Sequence, residues 1–311
     1  MVIFSTLFFK ILILYTNIFV GYFSAKKWGL ESPPLSNLLL YFLSTIVIFA
    51  TLANNPRMET SFLALPVLVF FICTFLSLST YFIAKNIWCD ARANILAFAA
   101  GVSNSGNFGL PVAFLIFQGQ VLTAYMMAFS GMLLFCDTIG FFLVANGKYT
   151  IRDSIIKVIT LPRLYAFIFG IIFNLTYLKI PEIFQSTLLS IRGTYIIISM
   201  LIIGIVFAKI KKIRIGKGFV LIALVTKFII WPLIALIIIL IDKTFFNFFD
   251  TCSYQALMLI SIVPIAVYTV LAADVLNMEP ERAAAIVIIS TIIALFYVPI
   301  VISLFTKFAL F

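Results

Sequence analysis

Two asparagines carry the most chemistry for their position. Asn104 and Asn107 stand three residues apart in the stretch Gly101-Val102-Ser103-Asn104-Ser105-Gly106-Asn107-Phe108-Gly109-Leu110-Pro111, between the apolar runs 95–100 and 112–117. Each amide offers two donors and an acceptor, and Ser103 and Ser105 add hydroxyls. Gly106, Gly109 and Pro111 are poor material for a continuous helix. At membrane depth, such a segment is tolerated only where it is buried in protein or lines a cavity. Where a half-helix restarts after the break, its unpaired N–H groups and positive dipole end favour a carboxylate. The spacing of three predicts both asparagines on one side of the helix leading into the break. A kinked packing helix is the alternative, but Asn contributes nothing to close packing.

A second break is expected in Ser261-Ile262-Val263-Pro264-Ile265-Ala266-Val267-Tyr268-Thr269, where Pro264 interrupts an apolar run. Ser261 and Tyr268 are its polar candidates for contact with a bound molecule. Tyr268 either closes over a ligand or packs with its hydroxyl on a neighbouring helix.

Four ionisable residues fall inside apolar runs: Lys10, Asp137, Arg192 and Lys227. Such groups are functional candidates. Lys10 is within snorkelling reach of an interface. Arg192 either pairs internally or attracts an anion. Asp137 is a proton or cation relay, or the ion-pair partner of Lys227 or Arg192, and the pairing is the favoured reading.

These residues need elements to hold them. The chain has 311 residues, of which 64% are hydrophobic and 10% charged. A soluble domain carries roughly 25% charged residues, so most of this chain belongs in a lipid bilayer. Ten apolar runs match the roughly 20 residues a span requires: about 3–25, 35–54, 61–84, 94–117, 121–145, 160–178, 183–207, 219–241, 251–275 and 282–306. The first is read as a span, since Lys10 interrupts it and no small-residue cleavage site follows. Corresponding runs in the two halves are offset by about 160 residues, and an odd number per half sets the halves in opposite orientations. The fold class expected is an all-α membrane protein of ten transmembrane helices, two inverted five-helix repeats with broken crossing helices four and nine. The divisions are 1–145, the first repeat; 146–159, a cytoplasmic loop; and 160–311, the second repeat. In that loop Ile151, Ile155, Ile156 and Ile159 share a helical face. It is either an interfacial helix or an extension of the next span.

Of the 21 Lys and Arg, fourteen lie at the loops after the odd-numbered spans and four at the opposite ends. The positive-inside rule then sets both termini outside. It also explains the net charge of +10 without nucleic acid. There is no histidine, which removes the commonest metal ligand and general base. No paired carboxylates, zinc motif or nucleophile–base arrangement appears, so neither an enzyme nor a cofactor is expected. Cys73, Cys89, Cys136 and Cys252 lack metal or redox spacing and read as packing residues.

The run 94–111, ending Ser-Asn-Ser-Gly-Asn-Phe-Gly-Leu-Pro, resembles the fourth-span signature of the auxin efflux carrier family, which includes bacterial malonate- and malate-type permeases and plant PIN-type auxin exporters. Thr226-Lys227-Phe228 through Trp231-Pro232 resembles its eighth span, and Pro264 followed by Leu271-Ala272-Ala273 its ninth. Glu281 through Pro299 resembles its last span. The resemblance implies a scaffold domain of spans one, two, six and seven, and a transport domain of the rest. It implies helices four and nine crossing at their prolines, here Pro111 and Pro264. It also implies a small organic anion as substrate, with Asn104, Asn107 and Pro111 carried over. A homodimer through the scaffold is expected from related folds. The long cytoplasmic insertion of the plant exporters is absent. The compact chain suits a bacterial inner membrane; a eukaryotic internal membrane is the other location. Secondary transport of an organic anion is therefore the expected function. The alternatives are a sodium symporter of the bile-acid-carrier type and a membrane sensor that does not transport.

Overall fold

The structure, a computed structural model, describes residues 2–54, 59–144, 160, 162–210, 215–275 and 278–307. The stretch 146–159, with its candidate interfacial helix, lies outside the described residues. Those described are helical nearly throughout. The helices are α1 (Val2–Trp28), α2 (Ser32–Asn54), α3 (Thr60–Ile87), α4 (Ala91–Gly101), α5 (Ser105–Ile116), α6 (Gln120–Val144), α7 (Pro162–Leu175), α8 (Glu182–Lys209), α9 (Lys217–Phe246), α10 (Thr251–Ile262), α11 (Tyr268–Val275) and α12 (Pro280–Lys307). Among the described residues no strand occurs, only an isolated antiparallel bridge between Ser103 and Ile265.

Among the described residues seven helices, α1, α2, α3, α6, α8, α9 and α12, are long and apolar enough to cross a membrane. Their outward faces carry large apolar side chains such as Phe71, Phe75, Phe82, Ile237 and Leu240. In water that surface would be an aggregation site; in a bilayer it is the solvated one. The chain is an all-α integral membrane protein.

The helices pack in two groups. In one, α1 lies along α8 and α2 along α7, with α2 also on α8. Small residues permit the α1–α8 approach: Gly21 abuts the backbone of Leu201, and Gly204 the carbonyl of Ile18. In the other group α3 holds α4 and α6, α6 packs on α10, and α9, α11 and α12 complete the layer. Gly131 of α6 sits on the backbone of Pro66 in the same way. The short helix α5 belongs with the second group by chain continuity but touches α1 and α8 of the first.

Both broken elements are built alike. Helix α4 starts at Asp90, whose carboxylate accepts from the Arg92 amide at 3.0 Å. Helix α10 starts at Asp250, which accepts from the Ser253 amide at 2.8 Å. An N-cap carboxylate satisfies orphan donors at a helix start. Each helix then ends in extended residues and resumes a few residues later, as α5 and as α11.

Candidate functional site

The two breaks meet. Ser103 bridges Ile265, the Asn104 amide donates to the Pro264 carbonyl at 2.8 Å, and the Ile265 amide donates to Ser290 Oγ at 3.2 Å. Backbone freed by one break is thus satisfied by the other, which permits extended chain at this depth. On the first break the contact lies at Ser103 and Asn104, not at Pro111 as the resemblance implied. Pro111 is the seventh residue of α5, beyond a wide turn in which the Gly109 amide reaches the Asn104 carbonyl (2.8 Å) and Leu110 that of Ser105. In this i→i+5 register the donor for the Gly106 carbonyl is residue 111, and proline has none. The Tyr195 hydroxyl of α8 donates there instead, at 3.1 Å. The Tyr125 hydroxyl of α6 donates to the Ser105 carbonyl at 2.9 Å. Met132 Sδ accepts from the Ser103 amide (3.3 Å) and the Ser105 hydroxyl (3.1 Å).

Asn104 and Asn107 therefore lie in and after the break rather than before it. Asn104 occupies the N-cap position of α5, yet its side chain makes no capping bond. It is 4% exposed, and its Nδ2 has no hydrogen-bond partner among the described residues. A buried unpaired donor is costly. The Gly106 and Asn107 amides, in the first turn, likewise lack a backbone partner.

Asn104 and Asn107 line a cavity of about 340 Å³. Ser103, Gly106, Met132 and Tyr195 border it, as do Ala266, Val267 and Tyr268 at the start of α11. Two half-helix starts thus open onto one space with their positive dipole ends, and α5 adds its Gly106 and Asn107 amides. The Tyr268 ring lies 6.0 Å from that of Phe98. Ser261 is not among the lining residues; its hydroxyl donates to the Met258 carbonyl of its own helix at 2.7 Å. Gly109 faces the Tyr125 hydroxyl, where no side chain would fit.

The ionisable residues separate. Asp137 pairs with Arg163, the second residue of α7, and both line the cavity. This corrects the expectation that Lys227 or Arg192 is its partner. Asp137 lies towards the end of α6, the end at which α7 begins; Arg192 lies near the start of α8 and Lys227 behind the crossing. Arg192 donates to the Phe114 carbonyl at 3.1 Å and stacks on that ring, 3.8 Å from its centroid. Lys10 Nζ is 3.5 Å from the Leu115 carbonyl. Two cations of the first group thus cap the C-terminal, negative end of α5. Arg192 also borders a second cavity of about 150 Å³ with Asn54, Leu122 and Gln185. Lys227 Nζ donates to Ser103 Oγ.

Asn107, Asp137 and Lys227 each sit in an i→i+5 turn, at 105–109, 136–140 and 226–230. Such turns widen a helix and redirect a side chain, often at functional sites. Two of the three immediately precede a residue followed by proline, Pro111 and Pro232, and that signal was available in the sequence. Arg163, Tyr125, Tyr195 and Met132 were missed. In the sequence Arg163 reads as one of the fourteen loop charges, and the tyrosines and methionine look like ordinary packing residues.

Among the described residues, no cluster of three His, Cys, Asp or Glu could hold a metal ion. None of the four cysteines is in a disulfide among the described residues. Residues 6–302 match the family described as "Membrane transport protein". The chain is 26% identical over 244 residues to an uncharacterized transporter of Methanocaldococcus jannaschii, covering 71% of this chain and 75% of that one.

Proposed function

Because the chain belongs to the membrane transport protein family, the auxin efflux carriers, we propose that it is a secondary transporter that moves a small organic anion by alternating access around the crossing of its two broken helices. One observation carries the anion reading. The amide of Asn104 is buried without a partner at the mouth of two half-helix starts, in a cavity large enough for a small carboxylate. Among the described residues that line the cavity the one acid, Asp137, is already paired.

Ten spans in two inverted repeats give the frame for this movement. The pairing of helices supports it. An axis exchanging the first span with the sixth and the second with the seventh turns the α1–α8 pair into the α7–α2 pair, and both are close. The aspartate caps Asp90 and Asp250 are separated by the same offset as the predicted spans. With both termini outside, the large cavity faces the cytoplasm, since the start of α2, the end of α6 and the start of α7 border it. The Arg192–Phe114 and Lys10–Leu115 contacts then close the outer side. In the outward-facing state they part while the group holding the crossing slides along α1, α2, α7 and α8.

Counterflow in proteoliposomes tests this. A panel of monocarboxylates, dicarboxylates and aromatic acids is presented to the wild type and to Asn107→Ala, with and without sodium. Exchange of at least one anion by the wild type and its loss in a normally inserted Asn107→Ala protein are expected. Exchange at the wild-type rate in that variant sinks the site assignment.

A further inference from the structure

Lys227 is fully buried, at 0% exposure, and makes no ion pair among the described residues. A buried cation without a counter-charge is expensive to maintain. Its Nζ donates to Ser103 Oγ, and the Trp231 ring centroid is 5.3 Å away. The titratable group that it feels is the Cys73 thiol of α3. Those on the other neighbouring helices are engaged or distant. Tyr297 of α12 donates to the Phe228 carbonyl, and Tyr254 of α10 bonds Asp242. Arg92 of α4 and Arg282 of α12 pair with Asp90 and Glu279 at the loop ends, with Glu281 beside them. On the cavity side of Ser103, Asp137 and Arg163 neutralise each other. Among the described residues around Lys227 there is therefore no counter-charge, and the cavity lies one hydroxyl away: Ser103 both lines it and receives the lysine.

The geometry points to Lys227 as the residue that takes up a proton together with the anion, with Ser103 as the switch between them. A charged Nζ donates to Ser103 Oγ, so the serine hydrogen turns to the cavity and becomes a donor to a carboxylate. A neutral Nζ carries a lone pair and accepts that hydrogen, so the cavity loses both a donor and a nearby positive charge. The proton enters from cavity water as the anion binds, resides on Nζ, and returns to water when the anion leaves. The inference rests on the anion reading above and adds its coupling ion. Mutual stabilisation of two bound species is reciprocal: the anion favours the proton as much as the proton favours the anion.

The test uses the purified full-length protein in detergent with malonate and phenylacetate as probes. Proton uptake on binding is followed with a dye in weak buffer, and affinity is followed against pH. In the wild type, up to one proton is taken up per anion bound. Affinity falls about tenfold per pH unit as Lys227 loses its charge, the slope that linkage of one proton requires. Lys227→Arg binds with little pH dependence and takes up no proton. Lys227→Met binds weakly at every pH. Anion binding by the wild type without proton uptake overturns the proposal, and needs no variant to fold. Undiminished uptake in Lys227→Arg also overturns it and moves the proton elsewhere. Failure of both probes and the whole carboxylate panel to bind the wild type instead overturns the anion reading on which it rests.

Discussion

The backbone amide of Asn104 donates to the carbonyl of Pro264, 2.8 Å away, across 160 residues of chain. Each partner lies in a break, so neither group has a helical partner of its own. The bond holds Asn104 outside helical geometry, at φ −73° and ψ 48°, at the head of α5, and its side chain, unused as a cap, is left at the cavity. Polar groups that helices normally consume are here held in reserve.

Asn104→Ala removes the unpaired amide and is expected to weaken anion binding. A hydrogen bond to a charged group contributes about 1.5–3 kcal/mol, or roughly tenfold to a hundredfold in affinity. Asn104→Asp, nearly isosteric, sets a carboxylate against the anion and should abolish binding at neutral pH. Equilibrium binding of malonate and phenylacetate compares the two. An aspartate variant that binds as well as the alanine variant contradicts an anion at this position.

Gly109→Ala tests the wide turn. A methyl at Gly109 meets the Tyr125 hydroxyl, with Val263 Cγ1 at 3.3 Å on another side. The substitution should destabilise by about 1–3 kcal/mol, the range for overpacking. Tyr125→Phe deletes the hydroxyl while the Leu110 amide still serves the Ser105 carbonyl. The double variant should therefore recover part of the loss, a coupling readable in a double-mutant cycle of thermal unfolding in detergent. Strict additivity of the two substitutions would deny the contact.

How far the sequence reveals this arrangement depends on what each residue does alone. The breaks are legible because Gly, Asn and Pro violate helix chemistry locally, and no lipid environment excuses them. The position of the contact is less so. Pro111 advertises a break, but the wide turn of 105–109 and the Tyr195 hydroxyl absorb the proline within α5, and the chains meet at Ser103 and Asn104 instead. Ion pairing is least legible: Asp137 has several basic residues within reach on paper, and the choice of Arg163 depends on α6 ending where α7 begins. Ser261 shows the converse, a hydroxyl beside a break that bonds back to its own helix.

The Asp137–Arg163 pair crosses from one helix group to the other inside the cavity. Removing one partner leaves the other charge uncompensated. Asp137→Asn should free the guanidinium for the anion and tighten binding of malonate at least severalfold. Arg163→Gln should loosen it, and the double variant should bind like Arg163→Gln alone. Isothermal titration of the three proteins gives the comparison. Weaker binding in Asp137→Asn would mean that the aspartate itself supports the anion.

Arg192 holds the outer closure in a way that can be separated from binding. Its guanidinium joins α8 to the Phe114 carbonyl and covers the Phe114 ring, about 3.8 Å from the centroid. Arg192→Gln cannot make the stacked cationic contact. If this contact favours the inward-facing state, its loss shifts the population outward. Leu122, buried beside the small cavity that Arg192 borders, is a suitable reporter. In a background with the four native cysteines replaced by serine, a cysteine at 122 should react faster with an impermeant thiol reagent once Arg192 is changed. Labelling must come from the outer side, the side to which Asn54 and Gln185 belong in the proposed topology. Unchanged labelling would make Arg192 a packing residue, whereas faster labelling from the cytoplasmic side would reverse the proposed orientation.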